Sequence, residues 1–361
     1  MFELNDNILV YPVDRGILSV IKSTENYLNI NISQLVSLES WGHNGECYSC
    51  ARGMVEISHD FHEGLNHCTT VWIVDSWNDL DFYKYIEPKI RLAVNNGKRI
   101  ICSRYLTTLE KTVLSDIEIF YVEYSSINSL INNDSRVYEI RTPVIFVMST
   151  TEFCNQFFIE TAIYAELRNR GYNTLLISSQ KEGVLFGGCS VPDFMFNNDY
   201  PENKKIIGFN HYTYSLEIEQ KPDVIVIGVP GAAMPYNHQY VSDFGVIAYE
   251  ISEAVKPDFS VLSHPCMPYY DTFFKGIDKC LQGRLGVSID IHSLSPYALD
   301  FYEPAPVKRL AYLSVDASHV HSTIEKLSTE NLLNLNTMTG ISSAIDKMIS
   351  QLSDGTSSII I

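Results

Sequence analysis

The stretch TPVIFVMSTTEFCNQFFIETAIYAELRNRGYNTLLISS, residues 142–179, holds an apolar strand, an amphipathic helix and a second apolar strand in succession. TPVIFVMS (142–149) and NTLLISS (173–179) are short runs rich in Val, Ile and Leu, as is typical of buried strands. Between them, residues 154–171 have apolar side chains at helical spacing and end at Gly171, a common residue after a helix. This order predicts a β-α-β unit with parallel strands.

The same alternation continues on both sides of this unit. Further strands are predicted at 7–13, 34–38, 69–77, 98–104, 117–124, 223–231, 259–264, 287–292 and 308–315. Further helices are predicted at 82–97, 321–327 and 341–353. The sequence therefore predicts an α/β fold with two doubly wound, mostly parallel sheets.

A polar segment, SSINSLINNDSRVYEIRTP (125–143), separates the two sets of strands. It is rich in Asn and Ser and closes with a proline, which is typical of a linker. We expect a smaller Rossmann-like domain over residues 1–140 and a larger domain over residues 141–361.

The composition is that of a globular protein, with 45% apolar and 19% charged residues among 361. The net charge of −17 argues against nucleic acid as a partner, because an acidic surface repels phosphates. No apolar run approaches the roughly 18 residues of a membrane span, and the first residues lack the features of a signal peptide. We expect a cytoplasmic protein without a membrane partner, whose eight cysteines are reduced thiols.

Four predicted strands of the C-terminal half end in loops rich in Gly and polar residues: 149–156, 178–188, 228–238 and 263–271. Ligands of open α/β sheets bind beyond the carboxyl ends of the strands, so these loops predict a shared crevice. The alternative for any single loop is that its glycines only form a tight turn. The predicted ligand-binding residues are Ser149, Thr150, Thr151, Asn155, Gln156, Gln180, Gly183, Gly187, Gly188 and Gly231.

The loop STTEFCNQ (149–156) occupies the place of a phosphate-binding loop, between a strand and a helix. With Gln156 at the lysine position, Thr150 and Asn155 replace the two glycines and Phe157 replaces the hydroxyl residue of G-x-x-x-x-G-K-[ST]. Every diagnostic residue is missing, which argues against ATP hydrolysis.

The C-terminal half nevertheless resembles a P-loop family that includes D-glutamate N-acetyltransferase-type proteins and is related to dethiobiotin synthetase. Residues 179–185 match the loop that lines the pocket of that family, and residues 228–231 match its later glycine-containing strand end. The acidic residue that approaches the metal in the family is absent from the matching position. The resemblance implies a degenerate P-loop domain over residues 141–361.

Over nearly its whole length, the chain is similar to peptide-maturation-system proteins of anaerobic Gram-positive bacteria, encoded beside Cys-rich ribosomal peptides and radical SAM maturases. The residues that carry this likeness are 7–21, Trp41–Gly42, 70–90 and 182–194. The resemblance implies an accessory or modifying component in the biosynthesis of a ribosomally made peptide. Its partners would be a peptide substrate or maturation enzymes, a homo-oligomer is left open, and no cofactor is indicated.

Two other functions stay open at this point. An acyl- or amino-acid-directed transferase or ligase would use the same crevice, with Glu152 and His264 as candidate catalytic residues. For His264, a facing residue across the crevice could be His238, Glu152 or Gln180. The third alternative is a scaffold that holds other maturation enzymes.

Cys47 and Cys50 form a C-x-x-C pair that is followed by His59, His62, His67 and Cys68. This pattern contains pieces of a zinc site, but it lacks the second close pair with rigid spacing. We therefore expect no metal, with Cys47 and Cys50 as the alternative ligands. Asp75, Asp79 and Asp81 either bind a metal or act as acid and base, or they cap the helix that follows.

Overall fold

The computed structural model describes residues 6–14, 17–28, 30–42, 45–50, 53–76, 80–126, 135–152, 154–300 and 310–356. The backbone contacts divide the chain into two compact units. Unit 1 comprises Met1–Glu123 with Val184–Gly187, and unit 2 comprises Tyr124–Gly183 with Gly188–Ile361.

Unit 1 contains a seven-stranded sheet in the order β3-β4-β2-β1-β5-β6-β7. The strands are β1 (Asn7–Tyr11), β2 (Asn31–Val36), β3 (Cys47–Cys50), β4 (Gly53–Ser58), β5 (Thr70–Ile73), β6 (Arg99–Cys102) and β7 (Ile119–Tyr121). All neighbouring strands are parallel except the β3–β4 pair. The helices are α1 (Leu18–Leu28), α2 (Phe61–Leu65), α3 (Glu87–Asn95) and α4 (Thr108–Val113). A π-helical turn at Phe82–Ile86 precedes α3.

The helix starts of unit 1 show how local polar residues set the boundaries. The Asp81 carboxylate accepts a hydrogen bond from the Lys84 N–H at 2.8 Å, which makes this residue a cap of the turn that follows. Thr107 and Glu110 form a reciprocal capping box at the start of α4. Asp75 instead accepts from the Tyr105 N–H at 3.0 Å, whereas Asp79 lies outside the described residues.

Unit 2 contains a six-stranded sheet in the order β10-β9-β11-β8-β12-β13, with all neighbours parallel. Its strands are β8 (Val144–Ser149), β9 (Thr174–Ser178), β10 (Cys189–Ser190), β11 (Val224–Gly228), β12 (Phe259–His264) and β13 (Ile291–Leu294). Two further strands, β14 (Tyr297–Asp300) and β15 (Ala311–Ser314), form an antiparallel pair. The helices are α5 (Gln156–Asn169), α6 (Glu202–Gln220), α7 (Val246–Ala254), α8 (Asp271–Leu285), α9 (Ala317–Glu325) and α10 (Met338–Thr356).

The predicted α/β class with two mostly parallel sheets is confirmed. The predicted strand 308–315 differs: residues 308–309 lie outside the described residues, and β15 belongs to the antiparallel pair and not to the parallel sheet. The segment predicted as a linker is held to α6 in its described second part. The Asn210 side chain accepts from the Tyr138 N–H at 2.7 Å, and Glu217 accepts from the N–H groups of Arg141 and Thr142. These partners lie more than 70 positions away, so local composition could not reveal them.

The strand order fixes where unit 2 has room for a ligand. After β8, the chain first builds β9 and β11 on one side of that strand and then builds β12 and β13 on the other. The connections therefore diverge at the carboxyl end of β8, which is the usual place of a ligand crevice in such sheets. The loop 150–155 follows at this point.

Packing between α5 and the sheet depends on Gly228. A Cβ atom added at this position would lie 1.7 Å from Oε2 of the buried Glu160 side chain and 2.7 Å from the Ser179 nitrogen. We expect Gly228→Ala to lower the free energy of unfolding by about 1–3 kcal/mol, because overpacking forces backbone shifts. Urea unfolding followed by circular dichroism measures this difference.

The matched control is Gly276→Ala on the exposed side of α8, where an added Cβ meets nothing within 4 Å. This variant is expected to gain up to about 1 kcal/mol from helix propensity. An unfolding midpoint of Gly228→Ala equal to that of the wild type would contradict the packing argument.

Candidate functional site

The loop after β8 is tied to two neighbouring segments of unit 2. The Thr150 N–H donates to the Ser263 carbonyl at 3.0 Å, which continues the pairing of β8 with β12. Asn155 adopts a left-handed conformation (φ 59°) immediately before α5, and its amide donates to Asn336 Oδ1 at 2.9 Å. Asn336 in turn donates to the Leu294 carbonyl at 2.7 Å. Thr150 and Asn155 are thus each tied by a hydrogen bond to a neighbouring segment.

Gln156, which stands at the lysine position of a P-loop, uses its side chain within the protein. Its Nε2 donates to the carbonyls of Val147 at 2.9 Å and Val229 at 2.5 Å. Its Oε1 accepts from the Ser149 hydroxyl at 2.9 Å. The amide therefore joins the ends of β8 and β11, and both of its N–H groups already have acceptors.

The predicted glycines are explained by packing and by turn geometry. A Cβ at Gly183 would lie 2.1 Å from the Ser178 Cβ, and one at Gly188 would lie 2.9 Å from the Leu176 Cβ. Gly187 and Gly231 have φ angles of 80° and 74°, which disfavour other residues. Ligand contacts at these glycines, and at the half-buried Gln180, stay predictions.

Glu160 on α5 is a buried acid that the sequence did not single out. Its Oε1 lies 2.5 Å from the Ser178 hydroxyl and accepts from the Ser179 N–H at 3.0 Å. Burial raises its pKa to about 8, which the hydrogen bonds from Ser178 and Ser179 only partly offset. The carboxylate faces the sheet, where Ser178, Ser179 and Gly228 surround it.

A chain of four side chains starts at Thr150 and leads to the surface of α8. Thr150 Oγ1 lies 3.3 Å from His264 Nδ1, and His264 Nε2 lies 2.9 Å from His292 Nδ1. His292 Nε2 lies 3.1 Å from Oδ1 of Asp278, whose side chain is 40% exposed, but the two atoms do not have hydrogen-bond geometry. Thr150 is 6% exposed, and both imidazoles are buried. We call these four residues the relay.

Aromatic side chains pack against the two imidazoles of the relay. The His264 ring has edge contacts with Phe273 and Phe274, each at 5.5 Å between ring centroids, and Phe274 also contacts His292 at 5.1 Å. Burial lowers the pKa of His292 to about 4 and places the pKa of His264 well below its usual value. Both imidazoles are therefore neutral at neutral pH.

The structure brings together Thr150 and His264 from the predicted set but adds two residues that sequence reasoning missed. Neither His238 nor Glu152, both exposed, nor Gln180 is bonded to the His264 ring, whose nitrogens face Thr150 and His292. A signal for His292 was present, since the predicted strands 259–264 and 287–292 both end in histidine. Nothing in the sequence marks Asp278, because only helix packing places it beside His292.

Cys154 lies next to the relay but is a poor nucleophile. It is buried, and its Sγ lies 2.9 Å from the Thr151 hydroxyl. Burial raises the pKa of the Cys154 thiol to about 12, so the thiol is protonated at neutral pH.

Within the described residues, no group of three or more His, Cys, Asp or Glu side chains is arranged to hold a metal ion. Cys47 is exposed on β3, and the side chain of Cys50 lies outside the described residues. His59, His62 and His67 are exposed. Among the helices of the described chain, none has both the length and the apolar character needed to cross a membrane.

The fold is similar to that of a DUF1611 family protein from Anabaena variabilis, with a TM-score of 0.56 and 11% sequence identity. The likeness covers 89% of this chain and 92% of that chain, and at this identity it concerns the fold alone. No protein-family model and no curated protein matches the chain. Membership in the peptide-maturation family therefore stays a prediction.

Two solved structures of the signal recognition particle receptor FtsY are more distant. The protein from Elizabethkingia anophelis has a TM-score of 0.28 and 13% identity, over 46% of this chain and 54% of that chain. Chloroplast FtsY from Physcomitrella patens has a TM-score of 0.29 and 10% identity, over 53% and 68%. These scores are too low to support an inference about this protein.

The contacts of Gln156 predict the outcome of a nucleotide titration. We expect no saturable heat when Mg²⁺-ATP is titrated into the protein in a calorimeter, because no lysine reaches the phosphates and the Gln156 amide is already bonded. Saturable binding in the micromolar range would contradict this expectation.

Neutral, buried His292 predicts a pH-dependent stability. In the unfolded chain its pKa is near 6.5 and in the folded chain about 4, so the unfolded state binds more protons between these values. The resulting stability is complete above pH 6.5 and is lost as the pH falls towards 4, by up to roughly 3 kcal/mol. His292→Gln should lose less stability than the wild type between pH 7 and pH 4.5 in urea unfolding.

The acids with raised pKa values, such as Glu160, cause the opposite trend but are common to both proteins, so the difference reports His292 and its bonded neighbour His264. The control is His238→Gln, since that side chain is exposed to water in the folded chain. Equal pH dependence in His292→Gln and wild type would show that the imidazole is not held neutral.

Proposed function

We propose that unit 2 is a transferase that accepts an acyl or aminoacyl group on the Thr150 hydroxyl and passes it to a second substrate. The observation that carries this proposal is the contact of Thr150 Oγ1 with His264 Nδ1 at the carboxyl end of β8. A hydroxyl beside a buried, oriented imidazole is the arrangement that converts a weak nucleophile into an effective one. The location at the divergence of the strand connections also supports a substrate crevice there.

The two steps balance without a redox partner. In the first step, Thr150 Oγ1 bonds to the carbonyl carbon of an ester or thioester donor, and the bond from that carbon to the leaving group breaks. The Thr150 proton leaves through His264 Nδ1, and the leaving group receives a proton. In the second step, an amine or hydroxyl acceptor attacks the new ester, and Thr150 regains its proton. The low exposure of Thr150 favours transfer over hydrolysis by limiting access of water.

The accessory role in peptide maturation stays a prediction that rests on the family resemblance. It is compatible with the transferase proposal, because a peptide amine has the chemistry required of the acceptor. An acidic protein of net charge −17 also suits a basic peptide segment. A cytoplasmic location and self-association stay predictions as well.

The test is covalent labelling of Thr150 by activated donors. The protein is incubated with p-nitrophenyl acetate or with an acyl-coenzyme A thioester, digested at acid pH and analysed by tandem mass spectrometry. We expect an acyl group on Thr150 in the wild type and in Thr150→Ser, and none in Thr150→Val. His264→Gln should slow labelling by about 100-fold or more, because the proton acceptor is lost.

Thr142→Val is the control, since its hydroxyl contacts only the Pro222 carbonyl at the start of β8. It should be labelled at Thr150 at the wild-type rate, and thermal melts confirm that each variant is folded. Labelling spread over surface lysines, with no preference for Thr150 in the wild type, would refute the proposed function.

A further inference from the structure

A small pocket of unit 2 lies between the start of α7 and the end of α8. It has a volume of about 210 Å³. Six residues line it: Phe244, Gly245, Val246, Tyr249, Arg284 and Leu285. None of them belongs to the relay or to the residues predicted for the crevice, so the pocket is separate from the Thr150 site.

The walls of this pocket are apolar, and most of them are open to solvent. Phe244, Tyr249 and Val246 are 58%, 46% and 40% exposed, whereas Leu285 is buried. Single exposed apolar residues are common on protein surfaces, but neighbouring ones around a concave surface are typical of a binding site. The two aromatic rings therefore provide a surface on which an apolar group can be removed from water.

The turn that leads into α7 has an unusual backbone conformation at the pocket. Ser242, Asp243 and Phe244 have φ angles of 44°, 50° and 58°. This left-handed region brings the Cβ atom of an L residue close to the following carbonyl oxygen, so each of the three residues is strained. Such a run persists only where surrounding contacts hold it, and strained backbone is concentrated at binding and active sites.

Two contacts hold this turn in place. Arg284 Nη2 donates to the Phe244 carbonyl at 2.9 Å. Gly245 lies so close to Ala233 that an added Cβ would be 2.5 Å from the Ala233 oxygen. Ala233 in turn donates its N–H to the Ser149 carbonyl at 2.7 Å, at the end of β8. The aromatic wall of the pocket is therefore attached to the central part of the sheet.

Arg284 supplies the positive charge of the pocket. In the part of the chain that the structure describes, the Phe244 carbonyl is its only hydrogen-bond acceptor, and no acid is paired with it. The acid that follows Tyr249, Glu250, is buried and lies 3.9 Å from Lys205 of α6, so it does not neutralise Arg284. The other N–H groups of the guanidinium are available to a ligand, and their planar arrangement fits a carboxylate at two points.

The size and charge of the pocket define the ligand that fits it. A cavity of about 150 Å³ can hold benzene, so a pocket of about 210 Å³ admits one aromatic ring with a short substituent. Arg284 is the one cationic residue in the lining, which matches the single charge of a carboxylate and not a phosphate dianion. We propose that this pocket binds a small aromatic carboxylate, with its ring against Phe244 and Tyr249 and its carboxylate on Arg284. The proposal does not rest on the proposed function.

The test is a titration of the full chain with phenylacetate, followed by nuclear magnetic resonance of ¹³C-labelled Val and Leu methyl groups. The signals of Val246 and Leu285 should shift and saturate, with a dissociation constant in the range of about 0.1–1 mM for a ligand of this size. Phenylacetamide has the same shape without the charge, and acetate has the charge without the ring. Each should bind at least about 10-fold more weakly, because one of the two interactions is lost.

Two variants separate the contributions of charge and ring. Arg284→Met should weaken phenylacetate by about 10-fold and leave phenylacetamide unchanged, so that the two ligands bind equally. Tyr249→Ala leaves Arg284 and the turn in place, and it should weaken both ligands by a similar factor. The control is Arg141→Met, because the Arg141 side chain is 86% exposed and lies outside the pocket, beside Glu139. It should keep the wild-type affinity for both ligands.

Three results would overturn the proposal. The first is the absence of shifts at Val246 and Leu285 at about 20 mM phenylacetate, where a dissociation constant of about 1 mM predicts near saturation. The second is equal affinity of the wild type for phenylacetate and phenylacetamide, which would show that Arg284 does not bind the carboxylate. The third is a set of shifts that follow protein concentration without ligand, which would assign the exposed rings to a contact between copies of this chain.

Discussion

Burial of β8 on both faces and both edges is the constraint on which the rest of unit 2 depends. All six residues of Val144–Ser149 are buried, and the strand is paired on one side with β11 and on the other with β12. Neither face of an apolar strand in this position contacts water. Polar side chains that serve a function are therefore placed where the strand ends. The connections of the sheet diverge at that same point, which is the usual place of a ligand crevice in such sheets.

Placing polar groups at the end of a buried strand requires a partner for each of them. Ser149 and Gln156 satisfy each other and the carbonyls of β8 and β11, and Thr150 meets a carbonyl and an imidazole of β12. An unpaired polar group at this depth would be destabilising by roughly 1–3 kcal/mol. The need for hydrogen-bond partners holds the Gln156 side chain in place. It also orders the two histidines, because each neutral imidazole has one nitrogen that donates and one that accepts.

Local sequence patterns were sufficient to predict the strands and helix around the candidate site. They also predicted the edge of the sheet at which that site lies. The runs 142–149 and 173–179 predicted β8 and β9, and the helix between them begins and ends close to its predicted limits. Thr150 and His264 were chosen because they follow strand ends, and both belong to the relay. The same patterns could not show that residues 135–143 are bound to α6, or that Glu160 on α5 is buried against Ser178 and Gly228 of the sheet. These contacts join residues far apart in the chain.

The sequence by itself determined the α/β class, the parallel pairing and the absence of the lysine and glycines of a phosphate-binding loop. These depend on side-chain type, on periodicity and on turn residues, all of which act over a few positions. Only the tertiary structure decided that Gln156 is tied to two strands and that His264 faces Thr150 and His292. It also decided that Asp278, on a helix, lies beside His292. The physical reason is that packing sets the hydrogen-bond partners and the dielectric environment of a side chain. Packing brings together residues that are far apart in the chain, and local sequence patterns do not indicate such contacts.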